Sequence, residues 1–163
     1  MRDTLNVTYK AIGFIRTPFR EYKGVPIQSC YSSIEGRIEL FPQYIEGLAD
    51  LDGFSHIILL YHFHKAYEVK MKVIPFLDTK QRGIFSTRAP VRPNPIGISI
   101  VELVSVSSTN KTIKIRGVDM LDSTPLLDLK PYVPLFDQRD AKTGWITHSL
   151  AQKENKIVLD GRF

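Results

Sequence analysis

The chain has 163 residues, 43% of them hydrophobic and 24% charged, with a net charge of +5, which suits one ordinary core and excludes an intrinsically disordered chain. Apolar runs such as Ile57-Ile58-Leu59-Leu60 are far too short to span a membrane, and Met1-Arg2-Asp3-Thr4-Leu5-Asn6 lacks the apolar stretch of a secretion signal. Cys30 is the only cysteine, so no internal disulfide forms; a reducing cytoplasm is the expected compartment, and residues 1–163 are expected to make a single domain with a short C-terminal tail, Gln152 to Phe163.

Taken in chain order, Ile34 to Leu40 alternates apolar and polar residues, the pattern of a half-buried strand, and stops at Pro42. Gln43 to Leu48 has room for about two helical turns. Asp52-Gly53 signals a reversal before Phe54 to Phe63, whose β-branched and aromatic content predicts a central strand buried on both faces. Tyr67 to Leu77 reads as helical until Pro75 interrupts it. Ile96 to Val106 predicts a second fully buried strand, Ser107 to Lys111 a turn, Thr112 to Val118 an alternating strand, and Asp122-Ser123-Thr124-Pro125 a further turn. Strands separated by such turns favour a curled antiparallel sheet, barrel or sandwich, with little helix.

The segment Phe85-Ser86-Thr87-Arg88-Ala89-Pro90-Val91-Arg92-Pro93-Asn94-Pro95-Ile96-Gly97 carries the most chemical information. Three prolines fix φ at three points and push Ala89, Arg92 and Asn94 toward extended backbone, so the loop is stiff before anything binds. Arg88 and Arg92 then stand on a rigid support, suited to a carboxylate or phosphate in fixed geometry. Charge is concentrated in the same region. Lys65, Lys70, Lys72, Lys80, Arg82, Arg88 and Arg92 face only Glu68 and Asp78, an excess equal to the whole net charge of +5. On charge alone this is equally a footprint for a polyanion such as RNA and a solvated basic loop.

Familiar nucleotide sites are absent: there is no glycine-rich dinucleotide turn, no P-loop lysine and no strand-turn-serine elbow. His56, His62 and His64 cluster, with His62 and His64 expected on one strand face, but the lone cysteine and unmatched carboxylate spacing argue against a metal. Polar groups for a site stand at three further places: Gly24 to Cys30, Tyr61 to His64, and Asp119 to Pro125. In the last, Asp122, Ser123 and Thr124 either hold a polar ligand or bond their own turn.

Four ordered motifs carry a resemblance: Ile12 to Phe19; Phe54-Ser55-His56; Phe85-Ser86-Thr87-Arg88 with Arg92-Pro93-Asn94-Pro95-Ile96-Gly97; and Asp122-Ser123-Thr124-Pro125 followed by Asp128-Leu129-Lys130-Pro131-Tyr132. Over roughly Val7 to Asp137 the chain resembles the TsaA-like tRNA methyltransferases, also called TrmO. The resemblance implies a mostly β fold, a single antiparallel β-barrel with few short helices, that binds S-adenosylmethionine and forms a homodimer. It also implies methylation of N6 of threonylcarbamoyladenosine beside the anticodon of threonine tRNAs. Carried over by motif, the cofactor pocket would draw on Pro26, Ile27, Gln28, His64, Lys65, Arg88, Ile98, Leu121, Asp122, Ser123, Thr124 and Pro125. Within it, Arg88 would pair with the methionine carboxylate, Asp122 or Thr124 would take polar hydrogens, and backbone near Ile98 would meet the adenine edge. Asn94, Asp122 or Tyr132 would orient the acceptor nitrogen, and Lys80, Arg82 and Arg92 would hold the tRNA anticodon arm. Longer bacterial members carry an additional C-terminal domain not expected here. Leu126-Leu127 and Tyr132 to Phe136 are expected either to cover the dimer interface or to complete one protomer's core.

The competing readings are a non-catalytic β-barrel that grips RNA or a small anion, and a methyltransferase with a small-molecule or protein acceptor. Against the RNA-binding module stands the expectation that Phe54, Tyr61, Phe63 and Phe85 all lie in the core rather than exposed for base stacking.

Overall fold

A side chain on a strand faces one side of the sheet or the other, and in this protein that alternation closes the sheet on itself. The computed structural model describes residues 5–147. The strands are β1 (Gly13–Arg16), β2 (Glu35–Leu40), β3 (His56–His62), β4 (Lys72–Val73), β5 (Arg82–Gly83), β6 (Ile96–Ser107), β7 (Thr112–Arg116) and β8 (Thr124–Pro131). Six of them close a barrel in the order β1-β2-β7-β6-β3-β8, every neighbouring pair antiparallel. Ile15, Ile38, Ile57, Leu59, Ile113, Ile115 and Leu126 fill the interior at 0% exposure, each contributing roughly 1.5–3 kcal/mol of burial.

The expectation that β3 and β6 are buried on both faces is corrected. Ile57, Leu59 and Tyr61 point inward while His56 and His62 are exposed, and on β6 Gly97, Ser99 and Val101 point inward while Ile96, Ile98 and Ile100 are 42–48% exposed. The reason is geometric: a barrel wall has one inner face, and among the described residues no helix layer covers this stretch of its outer face. Helix is as scarce as expected, with the short α1 (Pro134–Asp137) and 3₁₀ turns at Ser29–Tyr31, Pro42–Leu48, Leu51–Gly53 and Ile84–Ser86. Tyr67 to Leu77 is not helical; it carries β4, which pairs with β5 and packs in a small second core of Val73, Ile84, Ala89 and Val91. Of the segments with two expected fates, Leu126 joins the barrel core, whereas Leu135 and Phe136 stand 82% and 66% exposed. The tail Gln152 to Phe163 lies outside the described residues.

One barrel end gathers the C-terminal ends of β1, β3 and β7 with the N-terminal ends of β2, β6 and β8. The proline-rich loop crosses near it. Phe63 N–H donates to Pro95 O and Lys70 N–H to Val91 O, at 2.8 and 3.0 Å. Gly97 is required here: opposite Tyr61 in the ladder, any Cβ it carried would collide with the Tyr61 ring, which lies across the strand into the barrel mouth.

Candidate active site

At that end lies a cavity of about 650 Å³. Its walls come from the 22–31 turn, the end of β3, the 85–92 loop, the start of β6, residues 119–124 and the segment around Trp145. Eight expected cofactor residues line it: Pro26, Ile27, Gln28, His64, Arg88, Ile98, Leu121 and Thr124. The rest sit elsewhere. Lys65 is exposed and donates to Arg20 O at 3.2 Å, and Pro125 pairs with Phe14 in the barrel wall. Asp122 and Ser123 line an adjoining charged groove with Arg16, Arg20 and Glu39.

Asp122 is occupied with its own turn. Its carboxylate accepts from Thr17 N–H at 3.0 Å, from Ser123 Oγ at 3.0 Å and from Arg20, and it stays below the ordinary carboxylate value despite burial because of those bonds and the nearby arginines. Ser123 adopts φ 62°, left-handed backbone that a residue with a Cβ visits reluctantly, and Arg16 donates to its hydroxyl at 2.6 Å. Asn94 is exposed on the loop, where its backbone carbonyl accepts Ile96 N–H at 2.8 Å. Tyr132 lies at the opposite end of the barrel, its N–H on His56 O at 3.0 Å and its ring 6.4 Å from the imidazole.

Arg88 is placed by a short chain: Gln28 Nε2 donates to Ile27 O at 2.7 Å, and Gln28 Oε1 accepts from Arg88 Nη1 at 2.6 Å. The guanidinium is exposed and retains further donors for an anion. Arg92 does a different job. Its Nη1 reaches the carbonyls of Ile84, Thr87 and Ala89 at 3.2, 2.9 and 3.4 Å, so it ties the loop that carries Arg88 and Phe85. Arg82 pairs with Asp78 at 2.6 Å and lies 5.3 Å from the centre of the Trp145 ring, while the Lys80 side chain is exposed.

The floor of the cavity joins two of the segments expected to supply polar groups, through Tyr61 and Asp119, and adds Ser99, which no sequence motif marks. Asp119 accepts from Ser99 Oγ at 2.6 Å, and Tyr61 Oη lies 3.0 Å from the same hydroxyl; since Ser99 spends its proton on Asp119, Tyr61 donates to Ser99. Burial raises the Asp119 carboxyl to about 6, against the opposing pull of Ser99, the Ser29 N–H and Arg88. Burial likewise pushes the Tyr61 hydroxyl far up, so it remains a proton donor. Among the described residues Asp119 is the one carboxylate lining the cavity. A signal existed in the sequence: an acid set inside Gly117-Val118-Asp119-Met120-Leu121 is an anion among apolar residues. His64, held below the ordinary imidazole value by burial and by Lys65 and His62, faces Thr124 Oγ1 across 3.4 Å. Thr124 gives its own proton to Leu121 O at 2.7 Å. His62 ends β3 and is exposed, so the two histidines do not share a strand face, and no metal-binding group of three or more His, Cys, Asp or Glu exists among the described residues.

Two aromatic residues complete the rim. Phe85, expected in the core, is 72% exposed, because the 3₁₀ turn buries its neighbour Ile84 instead. Trp145, beyond every motif in the sequence, donates its indole N–H to Ser86 O at 2.9 Å. Phe54 is also partly exposed, at 39%, whereas Tyr61 and Phe63 pack together at the cavity floor, ring centres 5.4 Å apart.

Comparison with known proteins agrees with this architecture. The family described as tRNA-methyltransferase O N-terminal domain matches residues 14–138. A Pyrococcus abyssi protein named as a probable S-adenosyl-L-methionine-binding protein is 50% identical over 161 residues, covering 98% of this chain and 86% of the relative. The Escherichia coli tRNA (adenine(37)-N6)-methyltransferase is 36% identical, covering 79% of this chain and 59% of that enzyme. A crystal structure of TrmO from Pseudomonas aeruginosa superposes with a TM-score of 0.72 at 36% identity, covering 86% of this chain and 63% of that one. The chain thus spans about three fifths of those two longer proteins. With its barrel, its ordered motifs and residues 14–138 matching the family's N-terminal domain, the chain belongs to the tRNA-methyltransferase O family.

Proposed function

We propose that the protein is an S-adenosylmethionine-dependent methyltransferase acting on N6 of threonylcarbamoyladenosine beside the anticodon of tRNA. The observation that carries the reading is a cavity, in a chain related to tRNA methyltransferases, with a cation at its mouth and a carboxylate at its floor. The donor set fits the cofactor: Arg88 for the methionine carboxylate, Asp119 for a positively charged or amine group, and Pro26, Ile27, Phe63 and Leu121 for the apolar remainder. When bound, the cofactor supplies an electrophilic methyl group on a sulfonium.

The protein's own contribution is placement. Gln28 orients Arg88, Arg92 keeps the loop in one conformation, and Gly97 lets Tyr61 and Ser99 present Asp119 to the cavity. Displacement at a carbon needs alignment above all, so such positioning lowers the barrier without a strong base. The acceptor nitrogen must still lose a proton. With Asp119 committed to the cofactor, that proton leaves to water at the mouth of the cavity, where Arg88 and Phe85 are exposed. The same reading includes a homodimer, supported by the exposed Ile96, Ile98, Ile100, Leu135 and Phe136.

The test is direct. Purified protein is incubated with methyl-labelled S-adenosylmethionine and tRNA either bearing or lacking threonylcarbamoyladenosine, and label is counted in digested nucleosides. Label confined to the modified adenosine is expected. Label in protein, in a small molecule, or nowhere would refute the reading.

A further inference from the structure

An aromatic ring at the mouth of a cavity offers a face to any flat group that enters, and this protein sets two such rings on one rim. Phe85 is 72% exposed and lines the cavity; Trp145, half-buried, lines it too and is tied through its indole N–H to the carbonyl of Ser86. Each ring has a guanidinium against it. The Arg92 carbon lies 5.9 Å from the Phe85 centroid, and the Arg82 carbon 5.3 Å from that of Trp145. Neither arginine is free to wander, since Arg92 is pinned to three carbonyls and Arg82 to Asp78. The support is rigid as well, because Ile84 anchors the turn in the second core.

We propose that Phe85 and Trp145 form a stacking site for the acceptor base of the RNA. This rests on the methyltransferase reading above and names how its substrate is held. A flat base matches a ring backed by a fixed cation: the guanidinium holds the ring in place and the ring offers its π-face to the base. Asp119 lies at the cavity floor and Arg88 is held by Gln28, whereas an acceptor that arrives from solvent meets Phe85 on the rim. Such a site also explains why the loop is so heavily tied, since a stacking platform that moved would lose alignment with the cavity floor.

The experiment uses the full chain saturated with S-adenosylhomocysteine, titrated at fixed salt with an RNA anticodon stem-loop carrying threonylcarbamoyladenosine 3′ to the anticodon. Wild type, Phe85→Ala and Phe85→Trp are compared by fluorescence anisotropy. Phe85→Ala is expected to weaken RNA binding roughly 10- to 100-fold, while Phe85→Trp restores it and S-adenosylhomocysteine affinity stays within about twofold. The protein has one tryptophan, so quenching of Trp145 emission by the RNA reports the second ring without a label. Equal RNA affinity in wild type and Phe85→Ala would overturn the stacking site alone. A matching loss of S-adenosylhomocysteine would assign the ring to the cofactor and overturn it equally. Wild type that binds no RNA would remove the methyltransferase reading, and the stacking site with it.

Discussion

Replacing Asp119 by asparagine should make the free protein more stable at neutral pH and less able to work. Folding moves this carboxyl from 3.8 to about 6, because the anion is buried more deeply than its hydrogen bonds repay. At about 1.36 kcal/mol per pKa unit, the ionised form costs the fold about 3 kcal/mol above pH 7. The sign follows from proton uptake. Between pH 3.8 and about 6 the folded state holds the proton longer than the unfolded one, so this group's contribution to stability is full below the window and declines as pH rises through it. The asparagine of Asp119→Asn would carry no charge at any pH and would keep an acceptor for Ser99. The difference in unfolding free energy between variant and wild type should therefore grow by about 2–3 kcal/mol from pH 4 to pH 8, in the variant's favour. Urea denaturation of both proteins across that range measures it, and taking the difference cancels every other titrating group. A difference flat with pH, or one that grows in favour of wild type, would refute the claim that burial dominates at Asp119. Cofactor binding by the variant, followed calorimetrically, should weaken over the same range, the mark of a site that trades stability for function.

Other substitutions probe separate parts of the site. Arg88→Met should weaken S-adenosylhomocysteine roughly 10- to 100-fold by calorimetry while shifting the urea midpoint little, because the guanidinium is exposed and is held by Gln28. Arg92→Met should lower thermal stability by about 1–3 kcal/mol and reduce cofactor and RNA binding together, since it frees three carbonyls and loosens the loop; loss of RNA binding alone would show that Arg92 acts as a phosphate contact. Gly97→Ala should cost about 1–3 kcal/mol in urea melts, as Tyr61 must leave the barrel mouth to admit the methyl group. Ile100→Lys, on the exposed face of β6, should shift the proposed homodimer to a monomer in light scattering without loss of folding; a wild type that is already monomeric, or a dimer unchanged by the substitution, would refute this interface.

How much of this could be read from the residues differs by element. The strands at Ile34 to Leu40 and Thr112 to Val118 were visible because alternation of apolar and polar residues is a local property that survives into the barrel. The fully apolar runs of β3 and β6 misled, since a run without alternation is silent about which faces are covered. Stiffness of the 85–97 loop was legible in its prolines. The division of labour between its arginines was not: Arg88 points to the cavity and Arg92 into the loop's own backbone, although each stands near a proline in the same stiff segment. Tyr132 and Asp122 illustrate the same limit, for motifs preserve order along the chain and not distance across the barrel.

The strand pattern, the rigid basic loop and, through the ordered motifs, the family are thus written along the chain. The meeting of Asp119, Ser99 and Tyr61 at one cavity floor, and of Phe85 and Trp145 at its rim, belongs to the folded barrel alone. Closure of the sheet is the cause. Bringing β3, β6 and the end of β7 together joins residues 20 to 58 positions apart, and no local propensity encodes which side chains will share the enclosed space.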